Sequence, residues 1–157
     1  MKTSVVASCF LSAVACSNAA AASKIDPLCA PMRAFVAAVG PDESRELVFH
    51  TSWGRNFKNA REPAIFAKQC QHQGFGPAQP ACRALMENGS IEFSNTNAER
   101  VVRCLAPDTR WGKHVQFEQG SLSLRYGTND RDSHVTVSYG EDTEMGGMIL
   151  RVAADGY

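Results

Sequence analysis

The chain has no excess charge of either sign: 16 Lys and Arg stand against 16 Asp and Glu in 157 residues. Without a net positive field the long-range drive toward a phosphate backbone is missing, so nucleic acid is not the expected partner. Long apolar runs are scarce as well. The run from Val5 to Cys16 spans twelve residues, short of the roughly 20 that a membrane-crossing helix needs, so no transmembrane segment is expected. Familiar catalytic signatures are absent: there is no G-x-S-x-G elbow, no H-E-x-x-H, no P-loop and no G-x-G-x-x-G. These absences disfavour the common hydrolase, zinc-protease and nucleotide-binding classes, and neither a cofactor nor a metal is expected.

What is present begins with a leader. Lys2 is followed by the apolar run and then by Ala19, Ala20, Ala21 and Ala22, the three-part pattern of a secretory signal peptide with small residues at the cleavage site. Residues 1–22 are read as that leader, cleaved after Ala21 or Ala22, and 23–157 as a single domain, exported to a periplasm or secreted. A competing reading takes Ala13-Val14-Ala15-Cys16 as a degenerate lipobox, which would anchor the chain by a lipid on Cys16. Removing 1–22 takes away one cation and no acid, so the mature protein stays nearly neutral.

Four cysteines then remain, Cys29, Cys70, Cys82 and Cys104. An even number in an exported chain favours disulfides, and four allow three pairings. Spacing favours Cys70 with Cys82, stapling two neighbouring helical segments across Gly74-Phe75-Gly76-Pro77, and Cys29 with Cys104. A zinc site would need clustered ligands, and only Cys70-Gln71-His72 comes close.

Periodicity gives the order of elements. Met32, Phe35, Val36 and Val39 mark an amphipathic helix from Pro31 to Val39. Glu46 to Thr51 reads as a strand entering a loop at Ser52-Trp53-Gly54. Pro63 ahead of Ile65, Phe66 and Cys70, and Pro80 ahead of Cys82, Leu85 and Met86, suggest two short helices. Ile91 and Phe93 alternate with polar residues, and Thr96 with Glu99 has the spacing of a capping box before a helix carrying Ala98, Val101, Val102 and Leu105. Beyond residue 111 the period changes to two, with Val115 and Phe117, then Leu122, Leu124 and Tyr126, then Val135, Val137 and Tyr139, then a strand from Met148 to Ala153. The expected fold is α+β, with N-terminal helices and a short strand packed on a C-terminal four-stranded antiparallel meander, stabilised by disulfides.

Candidate chemistry starts with histidine. His50, His114 and His134 sit beside the apolar series of their strands, so parity sends all three to the open face of the sheet, where they could meet as acid and base. His72 reads as a helix-end residue. Ser52 and Ser138 are candidate nucleophiles, though serines of this kind are common on any surface. Asp42-Glu43 and Glu141-Asp142 fall in turn-like segments where carboxylates are ordinarily solvated, and Asn129-Asp130-Arg131-Asp132 lacks the glycine and closing glutamate of a calcium loop.

Two Trp-Gly segments are more informative. Trp53-Gly54-Arg55 and Trp111-Gly112-Lys113 each join an aromatic, a glycine and a base, and Trp and Arg are frequent anchors of interfaces. Gathered at one end of the sheet, Trp53, Arg55, Trp111 and Lys113 would form a contact patch; otherwise each Trp closes the core beneath its loop. The sequence thus favours an exported binding protein over an enzyme, such as an inhibitor or immunity protein acting on an envelope hydrolase through protein-protein contact. The alternatives are a small exported hydrolase using His50, His114 or His134, and an envelope lipoprotein of structural role.

Overall fold

The computed structural model describes residues 26–112, 116–128 and 131–157. Residues 1–25, with the expected leader, its expected cleavage site and Cys16, lie outside the described residues, as do Lys113, His114, Val115, Asn129 and Asp130. Three helices, α1 (Cys29–Ala37), α2 (Gln79–Asn88) and α3 (Ser94–Leu105), accompany five strands: β1 (Ser44–Trp53), β2 (Phe66–Gln71), β3 (Gly120–Thr128), β4 (Arg131–Glu141) and β5 (Met148–Gly156). The strands form one sheet in the order β2-β1-β5-β4-β3, with every neighbouring pair antiparallel. The class is α+β, as expected.

Alternation sorts the two faces. Leu47 and Phe49 on β1 pair with Val152 and Leu150 on β5, which pair in turn with Val137 and Tyr139 on β4. All six are buried, and with Leu122 and Leu124 of β3 they form the floor against which the helices pack. Helix α3 lies over β4 and β5, α2 over β1 and β2, and α1 packs on both of these helices. The buried stripe of α3 includes Ala98, Val101, Val102 and Leu105, the residues read from the sequence. Gly89, just past α2, allows the chain to pass closely over the floor: a Cβ there would lie 2.7 Å from Phe49 Cε1.

Both disulfides form as expected, Cys29–Cys104 and Cys70–Cys82. The first ties α1 to α3. The second does not staple a helical hairpin, because residues 66–71 form a strand. Phe66 and Cys70 fit helical spacing and strand alternation equally over so short a stretch, and pairing with β1, Phe49 opposite Cys70, decides the matter. Cys82 of α2 therefore clips the edge strand β2 to the helix above it. His72 accordingly follows a strand rather than ending a helix, and its carbonyl accepts the Phe75 N–H.

Other local expectations shift. The strand read as Glu46 to Thr51 extends through Trp53, which is its last residue and not part of the loop. Helix α3 starts at Ser94, so Thr96 lies inside the first turn and makes no cap. The entry is held instead by Asn97, whose side chain accepts from the Ser90 N–H and donates to the Ser90 carbonyl, both at 2.8 Å. Ile91 and Phe93 belong to this irregular entry and not to a strand. The expected four-stranded meander contains three described strands, β3 to β5. Phe117 lies before β3, edge-on to the Trp111 ring at 5.7 Å, and the sheet gains its remaining width from the β1–β2 hairpin docked on β5.

Candidate functional site

At one end of the sheet the helix-covered face is not sealed. Trp53 stands directly opposite Phe66 across the β1–β2 ladder, so both rings emerge on the same side. Trp53 is 56% exposed, Phe66 53% and Phe93, in the segment entering α3, 58%. Ile65 lies beside them, its carbonyl bonded to the Gly54 N–H at 2.8 Å. Trp53, Ile91, Phe93 and Met148 line one depression of about 360 Å³ together with Glu92 and Gly147. The position follows from the fold: β1 outruns its partner β5, whose first residue Met148 pairs with Thr51, and the chain must cross this end of the sheet to enter α3. No residue of α1, α2 or α3 lines this depression.

A second site lies on the opposite face, under the same end of β1. His50 points away from the helices, as parity requires, yet it is only 7% exposed. The β1–β2 loop and the β4–β5 turn fold over it. Phe57 sets its ring edge-on to the imidazole at 6.4 Å, and the loop is laced to the turn by Lys58, whose N–H donates to the Met145 carbonyl and whose Nζ donates to the Thr143 carbonyl, both at 2.7 Å. Gly147 completes this closure. Its φ of +92° suits glycine, and a side chain there would collide with the backbone of Thr51.

Within this closure His50 Nδ1 lies 2.7 Å from Asp142 Oδ2. The other oxygen of Asp142 accepts from the backbone N–H groups of Glu144 and Met145 at 3.0 and 2.9 Å. Burial alone would raise the Asp142 pKa, but the Met145 amide, His50 and the Glu144 amide together outweigh it, so the carboxyl is held below its usual range. A carboxylate in that position fixes Nδ1 as the donor and leaves Nε2 as the atom for proton transfer. The ring lines a polar depression of about 240 Å³ with Glu46, Gln71, Gln73, Glu144 and Arg151. Glu141-Asp142 is thus not a pair of solvated carboxylates: Glu141 is exposed and Asp142 is buried at 6%.

His50 and His134 do not converge. His50 is level with Ile149 of β5 and His134 with Asp155, six residues along the strand, or about 20 Å. His114 lies outside the described residues. Ser52 shares the face of His50 but is buried, and its Oγ makes no hydrogen bond; Ser138 is half-buried two strands away. Among the described residues no three His, Cys, Asp or Glu side chains gather into a metal-ligating group.

The two tryptophans occupy different places. Trp111 is half-buried and lines a groove of about 450 Å³ with Val102, Ala106, Phe117, Leu122 and Leu124. Its neighbours come from the end of α3, whereas those of Trp53 come from the segment before its start, a helix length of about 18 Å away. The two depressions have no lining residue in common. Arg55 is exposed in the β1–β2 loop and lines neither; Lys113 is outside the described residues.

Nothing local in the sequence marks Phe66 or Phe93 as functional, and Asp142 reads there as one of a pair of solvated turn carboxylates. Phe66 was assigned to a helix stripe, and nothing local announces that it stands opposite Trp53. The local signal for Asp142 is its place at the head of a glycine-bearing turn, where an Asp side chain bonds the backbone N–H two residues on. No protein-family model, no curated protein and no solved structure matches the chain.

Proposed function

We propose that this protein is a binding module that works outside the cytosol, with Trp53 as the anchor of its contact surface. The observation that carries the reading is the exposed aromatic corner. Three aromatic rings, each more than half exposed, lie at one end of the helix-covered face, Trp53 opposite Phe66 in the ladder and beside Phe93 in one depression. Water contact with such a patch is unfavourable, and clustered exposed apolar surface of this kind marks interaction sites. A Trp at its centre fits the residue type that most often dominates binding energy.

Two disulfides favour an oxidising environment, in keeping with export to a periplasm or secretion and with residues 1–22 as a leader. Among the described residues no helix is long and apolar enough to cross a membrane. The cross-linked frame holds the corner in place, so little conformational freedom is lost when a partner docks. An inhibitor or immunity protein of an envelope hydrolase is the form of this reading we favour, because occluding a cleft requires a rigid protrusion and no reacting group.

The test is retention of an exported protein on the immobilised wild type and on Trp53→Ala and Phe93→Ala variants. A partner held by the wild type and lost by both variants is the expected result; equal retention by all three would refute the reading. Loss of the partner's hydrolytic activity on titration with the wild type alone would establish inhibition.

The His50–Asp142 pair favours a second reading, a small exported hydrolase with His50 as general base. No described hydroxyl or thiol is bonded to the imidazole, so the nucleophile would be water. If a hydrolytic activity is detected, His50→Ala should abolish it, and activity unchanged in that variant would eliminate this reading.

A further inference from the structure

We infer that the partner presents a basic segment, a Lys or Arg a few residues from an apolar anchor, to the corner at Trp53; this rests on the binding reading above. The depression at Trp53 continues into a second one of about 510 Å³, with which it has Glu92, Phe93 and Met148 in common. The second depression adds Glu118, Glu141, Asn95 and two glutamines. The result is one groove along the end of the sheet, apolar where Trp53, Ile91 and Phe93 line it and acidic where Glu92, Glu118 and Glu141 do.

The register explains the layout. Met148 pairs with Thr51 on one side and with Glu141 on the other, and all three belong to the helix-covered face by alternation with Phe49, Leu150 and Tyr139. The row through Met148 therefore runs from Lys68 and Thr51 to Glu141, the carboxylate that ends β4, with the Trp53–Phe66 pair one row farther out; the Lys68 ammonium is bonded to the Met86 carbonyl at 3.0 Å. Among the described residues no Lys, Arg or His lines either depression, and none of the three glutamates is in an ion pair with another described residue. In a protein of balanced charge, three exposed carboxylates grouped beside exposed aromatic rings select a cation. The charge is complemented by a guanidinium or ammonium group, and the stem of that side chain fits against Phe93, whose ring face also attracts cations. An acidic segment would meet repulsion from Glu92, Glu118 and Glu141, and a purely apolar one would leave the acidic half of the groove unmatched.

The test uses a random linear dodecapeptide display library selected on the immobilised, oxidised protein, followed by binding of the enriched peptides in solution. Enriched peptides should carry an aromatic or aliphatic residue and at least one Lys or Arg. Their affinity should fall at least tenfold in E92Q/E118Q/E141Q and fall steeply between 50 and 500 mM salt, on the order expected for exposed charges. Replacing the peptide cation with Ala should give the same loss in the wild type and none in the triple variant. All three glutamates are exposed, so the triple variant should melt like the wild type; a Glu118→Lys variant alone provides a second readout. Peptides that require Trp53 but bind the triple variant equally well would overturn the basic occupant and leave the binding reading standing. No peptide that depends on Trp53 would overturn both. Self-association in sedimentation analysis that Trp53→Ala abolishes would assign the groove to a second copy and overturn the basic segment.

Discussion

The two faces of the sheet are closed by different means. The face under α1, α2 and α3 is closed by apolar side chains brought together from across the chain, with Phe35, Phe49, Leu85 and Val137 all essentially inaccessible. The opposite face is polar along most of its length and closed only around His50, by two loops held together by hydrogen bonds. Apolar packing is undirected and tolerates gaps at its margin, which is why the covered face can end in an exposed corner at Trp53 without disturbing the rest. Hydrogen-bonded closure is directed, so it seals a small region around one imidazole and leaves the remaining strands open.

The largest effect should come from the covalent tie that supports the covered face. Cys29 and Cys104 are 75 residues apart in sequence and Cys70 and Cys82 are 12 apart. If a disulfide acts mainly by restricting the unfolded chain, the long loop is worth about 4.5 kcal/mol and the short one about 3. C29S/C104S should therefore lower stability more than C70S/C82S in denaturant titration. Equal losses, or the reverse order, would show that the helix-bearing face depends less on its cross-link than the edge strand does.

The next effect concerns the opposite face. Asp142→Ala removes three hydrogen bonds and leaves His50 Nδ1 and the Met145 amide without partners in a buried place, a loss of about 2 to 3 kcal/mol. Asp142→Asn keeps the shape and removes the charge, which gives the pH test. Because the folded carboxyl has a lowered pKa, its contribution is fully present above the ordinary carboxylate range and is lost as pH falls through the lower, folded value. The stability gap between wild type and Asp142→Asn should thus be present at about pH 5 and shrink below about pH 4. A gap that stays the same at pH 3 would mean that charge contributes nothing there. Asp26 is a control with the same sign, its pKa lowered chiefly by the Arg100 side chain at 2.6 and 2.8 Å and further by the Leu28 amide.

The two faces also differ in how far the sequence discloses them. The covered face was legible: the stripes of α1 and α3 and the alternation of β3 to β5 report the core directly, since burial on one side imposes a period. Chain spacing favoured the observed disulfide pairing among the three possible, although it reached Cys70–Cys82 through a helical hairpin where the fold has a strand. The strand Phe66–Gln71 was misread because six residues do not distinguish periods of 2 and 3.6, and only the neighbouring β1 settles it. On the other face, parity placed His50 correctly but carried no word of its burial, because the loop that covers it has no period. Asp142 is 92 residues from its partner, and no local pattern links them. The corner at Trp53 was half legible: the Trp was singled out, but the Phe66 and Phe93 rings reach it through pairing and through the path of the chain into α3.

The smallest expected effect is on folding at the corner itself, and that smallness makes it informative. Trp53 is more than half exposed and ends its strand, so Trp53→Ala should change stability by less than about 0.5 kcal/mol, as for other surface substitutions. A buried Trp of the core would cost several times as much. A thermal melt that leaves the midpoint within a degree or two of wild type, together with lost partner binding, would show that the ring is kept for contact rather than for packing. A loss of about 2 kcal/mol or more would instead make Trp53 part of the hydrophobic floor, and the contrast between a sealed face and an open corner would disappear.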